Sequence, residues 1–115
     1  MVATDGARAI NPAMVKAGKA RLPRQQELEG MELFFKVLGD STRLRILHAL
    51  LVGELCVRDL SEIVRMSDSA VSHQLAVLKG ARLVRHRRDG KVIYYSLSDD
   101  HVSSLLQSMR VHLAE

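Results

Sequence analysis

The hydrophobic period of this 115-residue chain changes abruptly near residue 83, and that change limits the possible folds more than any other feature. Before it, apolar residues recur at helical spacing in short runs. Met31, Phe34, Phe35 and Leu38 define a helix over 27–38, ended by Gly39, with Asp40 or Ser41 as the next cap. TRLRILHALLV (42–52) is a strongly apolar helix stopped by Gly53. After a short extended piece, Leu55-Cys56-Val57, a helix capped near Arg58 or Asp59 runs to about Arg65. A break at Met66-Ser67-Asp68 leads into a helix from about Ser69 to Gly80. From Leu83 the period falls to two: residues 83–88 and 91–97 alternate as strands, and Asp89-Gly90 between them is a strong two-residue hairpin turn. Helical spacing returns after Ser98, with Asp99 or Asp100 as cap and Val102, Leu105, Leu106, Met109 and Leu113 as the apolar stripe.

Two short helices joined by a tight turn and followed by a hairpin form a winged helix-turn-helix, so the expected class is mainly α with a β-hairpin (α+β). In the second helix of the pair, Val71, Leu75 and Leu78 fall at i, i+4 and i+7 and face the core. Ser69, Ser72, His73 and Ala76 are then turned outward. A small, polar outer face lets a helix sit deep in a major groove and hydrogen-bond base edges. The competing reading is an ordinary solvated face, which typically carries more Lys and Glu. The hairpin tip places Arg87, Arg88 and Lys91 where a wing can follow a phosphate backbone.

Charge is segregated along the chain. Residues 1–25 hold five basic groups and one acidic; residues 26–78 are net acidic; residues 79–91 hold six basic groups against Asp89; and residues 92–115 are again net acidic. Two basic regions separated by acidic ones describe a localised polyanion-binding surface. The first 25 residues, with Gly6, Pro12, Gly18 and Pro23 among alanines and cations, read as a flexible basic arm that includes a short helix, ahead of one domain at 26–115. The length fits one domain. With aromatics at 3% and no tryptophan, the core must be built from Leu, Val, Ile, Met and Ala. A lone Cys56, the absence of a signal-peptide pattern and the lack of an apolar run near 20 residues point to a cytoplasmic protein without a membrane partner. No nucleophile-base pair or phosphate loop suggests an enzyme. His48 falls on the apolar face of its helix and reads as a core histidine, whereas His86 in a strand reads equally as a solvated residue of the wing.

The last helix carries a second pattern. Asp99, His101, His112 and Glu115 are donors suited to a borderline divalent metal. Eleven helical steps return His112 almost to the face of His101 but about 16 Å along the axis, so one chain cannot bring both to one ion. Two such helices packed antiparallel about a two-fold axis can: Asp99 and His101 of one copy join His112 and Glu115 of the other, giving two sites per dimer. A second copy is also the simplest cover for the apolar stripe. Taken singly, these residues read as a capping Asp, two surface histidines and a terminal acid.

From about Phe34 to Glu115 the sequence resembles the ArsR/SmtB family of metal-sensing winged-helix repressors. The resemblance is carried by LGDSTRLRIL (38–47), ELCVRDL (54–60), SDSAVSHQLAVLK (67–79), LVRHRRDGKVIYYSL (83–97) and DDHVSSLLQSMRVHLAE (99–115). It implies that Asp99, His101, His112 and Glu115 occupy the positions of the family's zinc-sensing ligands. It also implies that Ser69, Ser72 and His73 face operator DNA, with Gln74 grouped beside them, and that a relay runs from the non-ligating nitrogen of His112 to a backbone carbonyl near Arg82. Members that sense soft metals through thiolates carry a second cysteine where this chain has Arg58, and residues 1–40 hold neither Cys nor His. Cys56 is therefore expected to be a small buried residue rather than a ligand. The implied function is a homodimeric repressor that binds double-stranded operator DNA when metal-free and releases it on binding Zn(II). The alternatives are the same fold sensing Co(II) or Ni(II), or a metal-independent winged-helix module.

Overall fold

The computed structural model describes residues 8–115. It divides between Glu32 and Leu33 into two units, later than the boundary at 25 read from charge and composition. In the first unit, the short helix expected within the arm is α1 (Pro12–Arg21). The Asn11 side chain caps it by accepting from the Met14 N–H at 3.1 Å, and Pro12 sits where its missing N–H costs nothing. No residue of α1 is buried. Helix α2 (Gln25–Leu38) begins here and ends in the second unit.

The second unit continues with α3 (Ser41–Ala49), a 3-10 turn (Leu50–Val52), β1 (Leu55–Cys56), α4 (Val57–Val64), α5 (Asp68–Gly80), β2 (Val84–Asp89), β3 (Val92–Leu97) and α6 (Asp100–Ala114). Asp40 caps α3 through the Arg43 N–H at 3.0 Å, Ser67 caps α5 through the Ala70 N–H at 3.1 Å, and Asp99 caps α6 through the Val102 N–H at 3.1 Å. The helix expected at 42–52 loses α-geometry at Leu50, where the chain tightens into the 3-10 turn before Gly53 reverses it at φ +136°. Helix α4 starts earlier than expected, at Val57, with Cys56 as a cap that makes no side-chain bond. Arg65 ends it in the left-handed region (φ 58°), which opens the turn into α5.

Ile46, Leu47, Leu60, Val71, Leu75, Leu78, Leu83 and Leu106 are fully buried, and Leu38, Leu50, Val64, Val84 and Val102 complete the core. Phe34, Val37, Leu44, Tyr95, Leu97, Leu105 and Met109 pack around it. The core is aliphatic, as the scarcity of aromatics requires. The hairpin pairs β2 with β3 antiparallel, from Val84 opposite Leu97 to Asp89 opposite Val92. The two-residue turn is Gly90-Lys91, one position later than the Asp89-Gly90 expected from the sequence, because Asp89 pairs with Val92 as the last residue of β2, and Gly90 takes the positive φ (64°) that the tight turn demands. The extended piece at Leu55–Cys56 pairs with β3 through Tyr95 and Tyr94, so the sheet order is β1-β3-β2 and β3 lies at its centre. No described helix is long and apolar enough to cross a membrane.

Candidate functional site

Helix α5 takes the orientation its spacing dictates. Val71, Leu75 and Leu78 are fully buried, while Ser69, Ser72, His73 and Ala76 are exposed. Gln74 differs from them. It is half-buried, and its Oε1 accepts from the Arg43 Nε at 2.9 Å, while a second nitrogen of Arg43 reaches the Val37 carbonyl at 3.3 Å. One end of the Gln74 amide is therefore occupied inside the fold. At the start of α5, Asp68 lies 3.9 Å from Arg58 of α4, a loose ion pair across the helix-turn-helix.

The wing separates its cations into two kinds. Arg87 donates to both carboxylate oxygens of Glu54, at 3.0 and 2.8 Å, and its guanidinium lies 4.9 Å over the Tyr94 ring. Tyr94 is the direct cross-strand partner of Arg87, so both side chains share one face of the sheet. The Arg87 side chain holds the Glu54 carboxyl below the usual range by hydrogen bond first and by charge second, and Glu54 raises Arg87 in return. Arg88 and Lys91 are exposed, and among the described residues no ion pair holds either. The phosphate-facing set read from sequence thus contains two unpaired cations and one already matched by a carboxylate. Glu54, Tyr94 and Arg43 were not singled out from the sequence: Glu54 and Arg87 are 33 positions apart and Arg43 and Gln74 are 31 apart, beyond the reach of local periodicity.

The donors of α6 gather in two pairs, one at each end. Asp99 is at the cap, where its Oδ1 accepts from the Val102 N–H and lies 3.5 Å from His101 Nδ1. That backbone bond is the main cause holding the Asp99 carboxyl below its ordinary range, with the neighbouring His101 adding to it. His101 is almost fully exposed. At the other end, His112 and Glu115 line one shallow depression with Ser104, Gln107, Ser108 and Val111, and the Glu115 N–H donates to the His112 carbonyl at 3.3 Å. Among the described residues of the single chain, no three His, Cys, Asp or Glu side chains converge. Each end supplies one imidazole and one carboxylate, half of a four-donor set.

The stripe of α6 is likewise divided. Val102 and Leu106 are buried and Leu105 and Met109 half-buried, but Val111 is 63% and Leu113 82% exposed. A shallow hollow beside them is lined by Ser108, Met109, His112 and Leu113.

Arg82, named for the relay, sits between α5 and β2 with its backbone in the left-handed region (φ 62°) and its N–H bonded to the Lys79 carbonyl at 3.0 Å. Two remaining side chains depart from expectation. Cys56 is half-buried rather than buried, because β1 runs along the edge of the sheet. His48 is half-buried beside Leu44, Arg45 and Arg110, and its Nδ1 is enclosed without a hydrogen-bond partner among the described residues. His86 is exposed, with its ring 5.7 Å from that of Tyr95.

Comparison with known proteins bears on the family and the fold. Residues 40–86 match the model of the bacterial regulatory protein, arsR family. A transcriptional repressor SmtB homolog from Synechocystis is 42% identical over 115 residues, which span all of this chain and 81% of that protein. A cadmium resistance transcriptional regulatory protein CadC homolog from Staphylococcus aureus is 37% identical over 107 residues, 92% of this chain and 88% of that one. Among solved structures, a homodimeric winged helix-turn-helix DNA-binding domain from Mycobacterium bovis superposes with a TM-score of 0.74 at 28% identity. The match covers 82% of this chain and 89% of that one. Family-model match, whole-chain identity and shared fold together establish that the chain belongs to the ArsR/SmtB family of transcriptional regulators, with a winged helix-turn-helix fold.

Proposed function

We propose that this protein is a homodimeric, metal-responsive repressor that binds operator DNA through α5 and the wing and is released by Zn(II) held between the α6 helices of two subunits. The observation that carries the reading is the division of donors on α6: half a coordination set at each end of a helix whose outer turn leaves Val111 and Leu113 exposed. Covering that turn with the same helix of a second copy, run antiparallel, brings Asp99 and His101 of one subunit to His112 and Glu115 of the other. The homodimeric state of the Mycobacterium bovis neighbour supports this arrangement.

The donor set fits a borderline divalent ion. Asp99 is ionised through the ordinary pH range and spends one oxygen on the cap, which leaves the second to ligate. Two imidazoles and two carboxylates suit zinc in tetrahedral geometry, and cobalt and nickel accept the same donors. Bound metal supplies a cross-link between the two helix ends. The chain's own residues do the rest: α6 packs on the core through Val102 and Leu106, so its placement sets that of α5 in each subunit. The spacing of two α5 helices must match successive major-groove turns about 34 Å apart. A relay from His112 to the backbone near Arg82 couples the site to the end of α5. By linkage, the metal lowers DNA affinity by the factor by which DNA lowers metal affinity.

The test uses a duplex recovered from a randomised pool by selection on the metal-free protein. Wild type releases it on zinc titration followed by fluorescence anisotropy, and His112→Gln binds it equally well but releases none. Zinc-driven release persisting in His112→Gln overturns the ligand assignment. Release by cobalt or nickel alone reassigns the effector, and failure of the purified dimer to bind any of these ions leaves a metal-independent DNA-binding module.

A further inference from the structure

The stretch ahead of the winged helix carries charge that the reading above does not use. Between residues 8 and 24 lie Arg8, Lys16, Lys19, Arg21 and Arg24, with no carboxylate among them. Arg24 is matched by Glu27 at 3.0 Å, whereas Arg8, Lys16, Lys19 and Arg21 enter no ion pair among the described residues. Helix α1 buries none of its residues. A solvated helix normally mixes both signs so that i,i+4 neighbours attract, and here only repulsion is available.

The distribution around α1 is ordered. At about 100° per residue, Ala20, Ala13 and Ala17 lie together on one face, flanked by Lys16 and Lys19 on one side and Arg21 on the other. Small residues between cations let the helix approach a polyanion closely while the longer side chains reach charges on either side. The opposite face offers only Met14 and Val15, with Gly18 between them. That is too little apolar surface to hold a helix in a bilayer interface. The partner that matches unpaired cations at this density, with no apolar requirement, is a phosphate backbone.

We propose that residues 8–24 are a second, sequence-independent DNA-binding element, in which Lys16, Lys19 and Arg21 of α1 neutralise backbone phosphates of the duplex. This rests on the DNA-binding reading of the winged helix and extends it. The arm supplies affinity and salt dependence, and α5 supplies sequence choice.

The experiment compares the full chain with a Lys16→Gln, Lys19→Gln, Arg21→Gln variant on two probes, the selected duplex and a random-sequence duplex of equal length. Anisotropy is read across a range of NaCl concentrations. Each phosphate contact contributes about 0.9 to the slope of log affinity against log salt, so the variant loses about 2.7 for each arm engaged. Affinity near 0.1 M salt falls on the order of 100-fold, by the same factor on both duplexes. Circular dichroism stays unchanged, because every altered side chain is exposed. The charge-conserving variant Lys16→Arg, Lys19→Arg, Arg21→Lys restores the wild-type slope.

An unchanged slope in the glutamine variant, with wild type bound to both duplexes, overturns the arm proposal and leaves the repressor reading standing. A loss confined to the selected duplex also overturns it, since that marks sequence readout. Sedimentation of wild type with phosphatidylserine vesicles, abolished in the variant while DNA binding is unchanged, reassigns the arm to membranes. Wild type binding neither duplex defeats both proposals.

Discussion

Helices α5 and α6 are close in length and similarly striped, yet the fold treats them differently. Every apolar position of the α5 stripe is closed off by the chain's own core, so its outer face is left to small polar groups. In α6 only the first half is treated this way. Val102 and Leu106 are buried, and two turns later Leu113 is 82% exposed. A helix whose stripe is fully satisfied is finished as a structural element and has its polar face available for work. A helix whose stripe runs past the end of the core has been made for a partner.

The largest effect that can test this contrast is on stability. Leu75→Ala removes a fully buried side chain from α5 and is expected to lower the free energy of unfolding by ~2–5 kcal/mol in urea titration. The same truncation at Leu113 is expected to change the unfolding of the isolated subunit by under ~0.5 kcal/mol while weakening self-association in sedimentation equilibrium. Equal destabilisation of the subunit by both changes would break the comparison.

A smaller effect concerns how α6 sits on α3. Burial, and secondarily the nearby Arg110 of α6, lower the pKa of His48, so the native protein holds this imidazole neutral to a lower pH than the unfolded chain does. The unfolded chain takes up a proton near pH 6.5. The stability that His48 contributes is therefore complete above pH 6.5 and lost as pH falls through the lower, folded value. The urea midpoint of wild type should fall below pH 6.5, and His48→Gln should flatten part of that fall. A wild-type profile identical to that of the variant would remove His48 as a sensor of the α3–α6 contact.

The smallest stability change is the most selective. Asparagine caps a helix about as well as aspartate, so Asp99→Asn should leave the thermal midpoint within about 2 °C. If the proposed site holds, the same substitution removes one of its carboxylates and is expected to abolish zinc-driven release of DNA. A lowered midpoint with an intact zinc response would make Asp99 a cap and nothing more.

Much of this was legible in the primary structure because the relevant physics is local. The fall in hydrophobic period at residue 83, the presence of a tight turn at Gly90, though one position later than Asp89-Gly90, and the i, i+4, i+7 spacing of Val71, Leu75 and Leu78 each depend on neighbours within a turn or a hairpin. The wing, the recognition helix and its buried face follow from them. Asp99 was readable as one of two possible caps for the same reason, and the pairing of His112 with Glu115 follows from their i, i+3 spacing.

The departures come from contacts that cross the fold. The end of the 42–52 helix and the start of α4 shifted because the chain must tighten and reverse at Gly53 to bring Leu55 and Cys56 alongside Tyr95 and Tyr94. That pairing turned an isolated extended piece into a sheet edge and left Cys56 half-buried.

Sequence alone therefore determined the order of elements, the core-facing residues of α5 and the placement of two donors at each end of α6. Hydrophobic period and helical pitch act over a few residues and need no partner. Which polar groups remain available was decided only in three dimensions. Arg87 is matched by Glu54, Gln74 is held by Arg43 and His48 is enclosed beside Arg110, because the free energy of a charged or hydrogen-bonding group depends on what packs against it from distant parts of the chain.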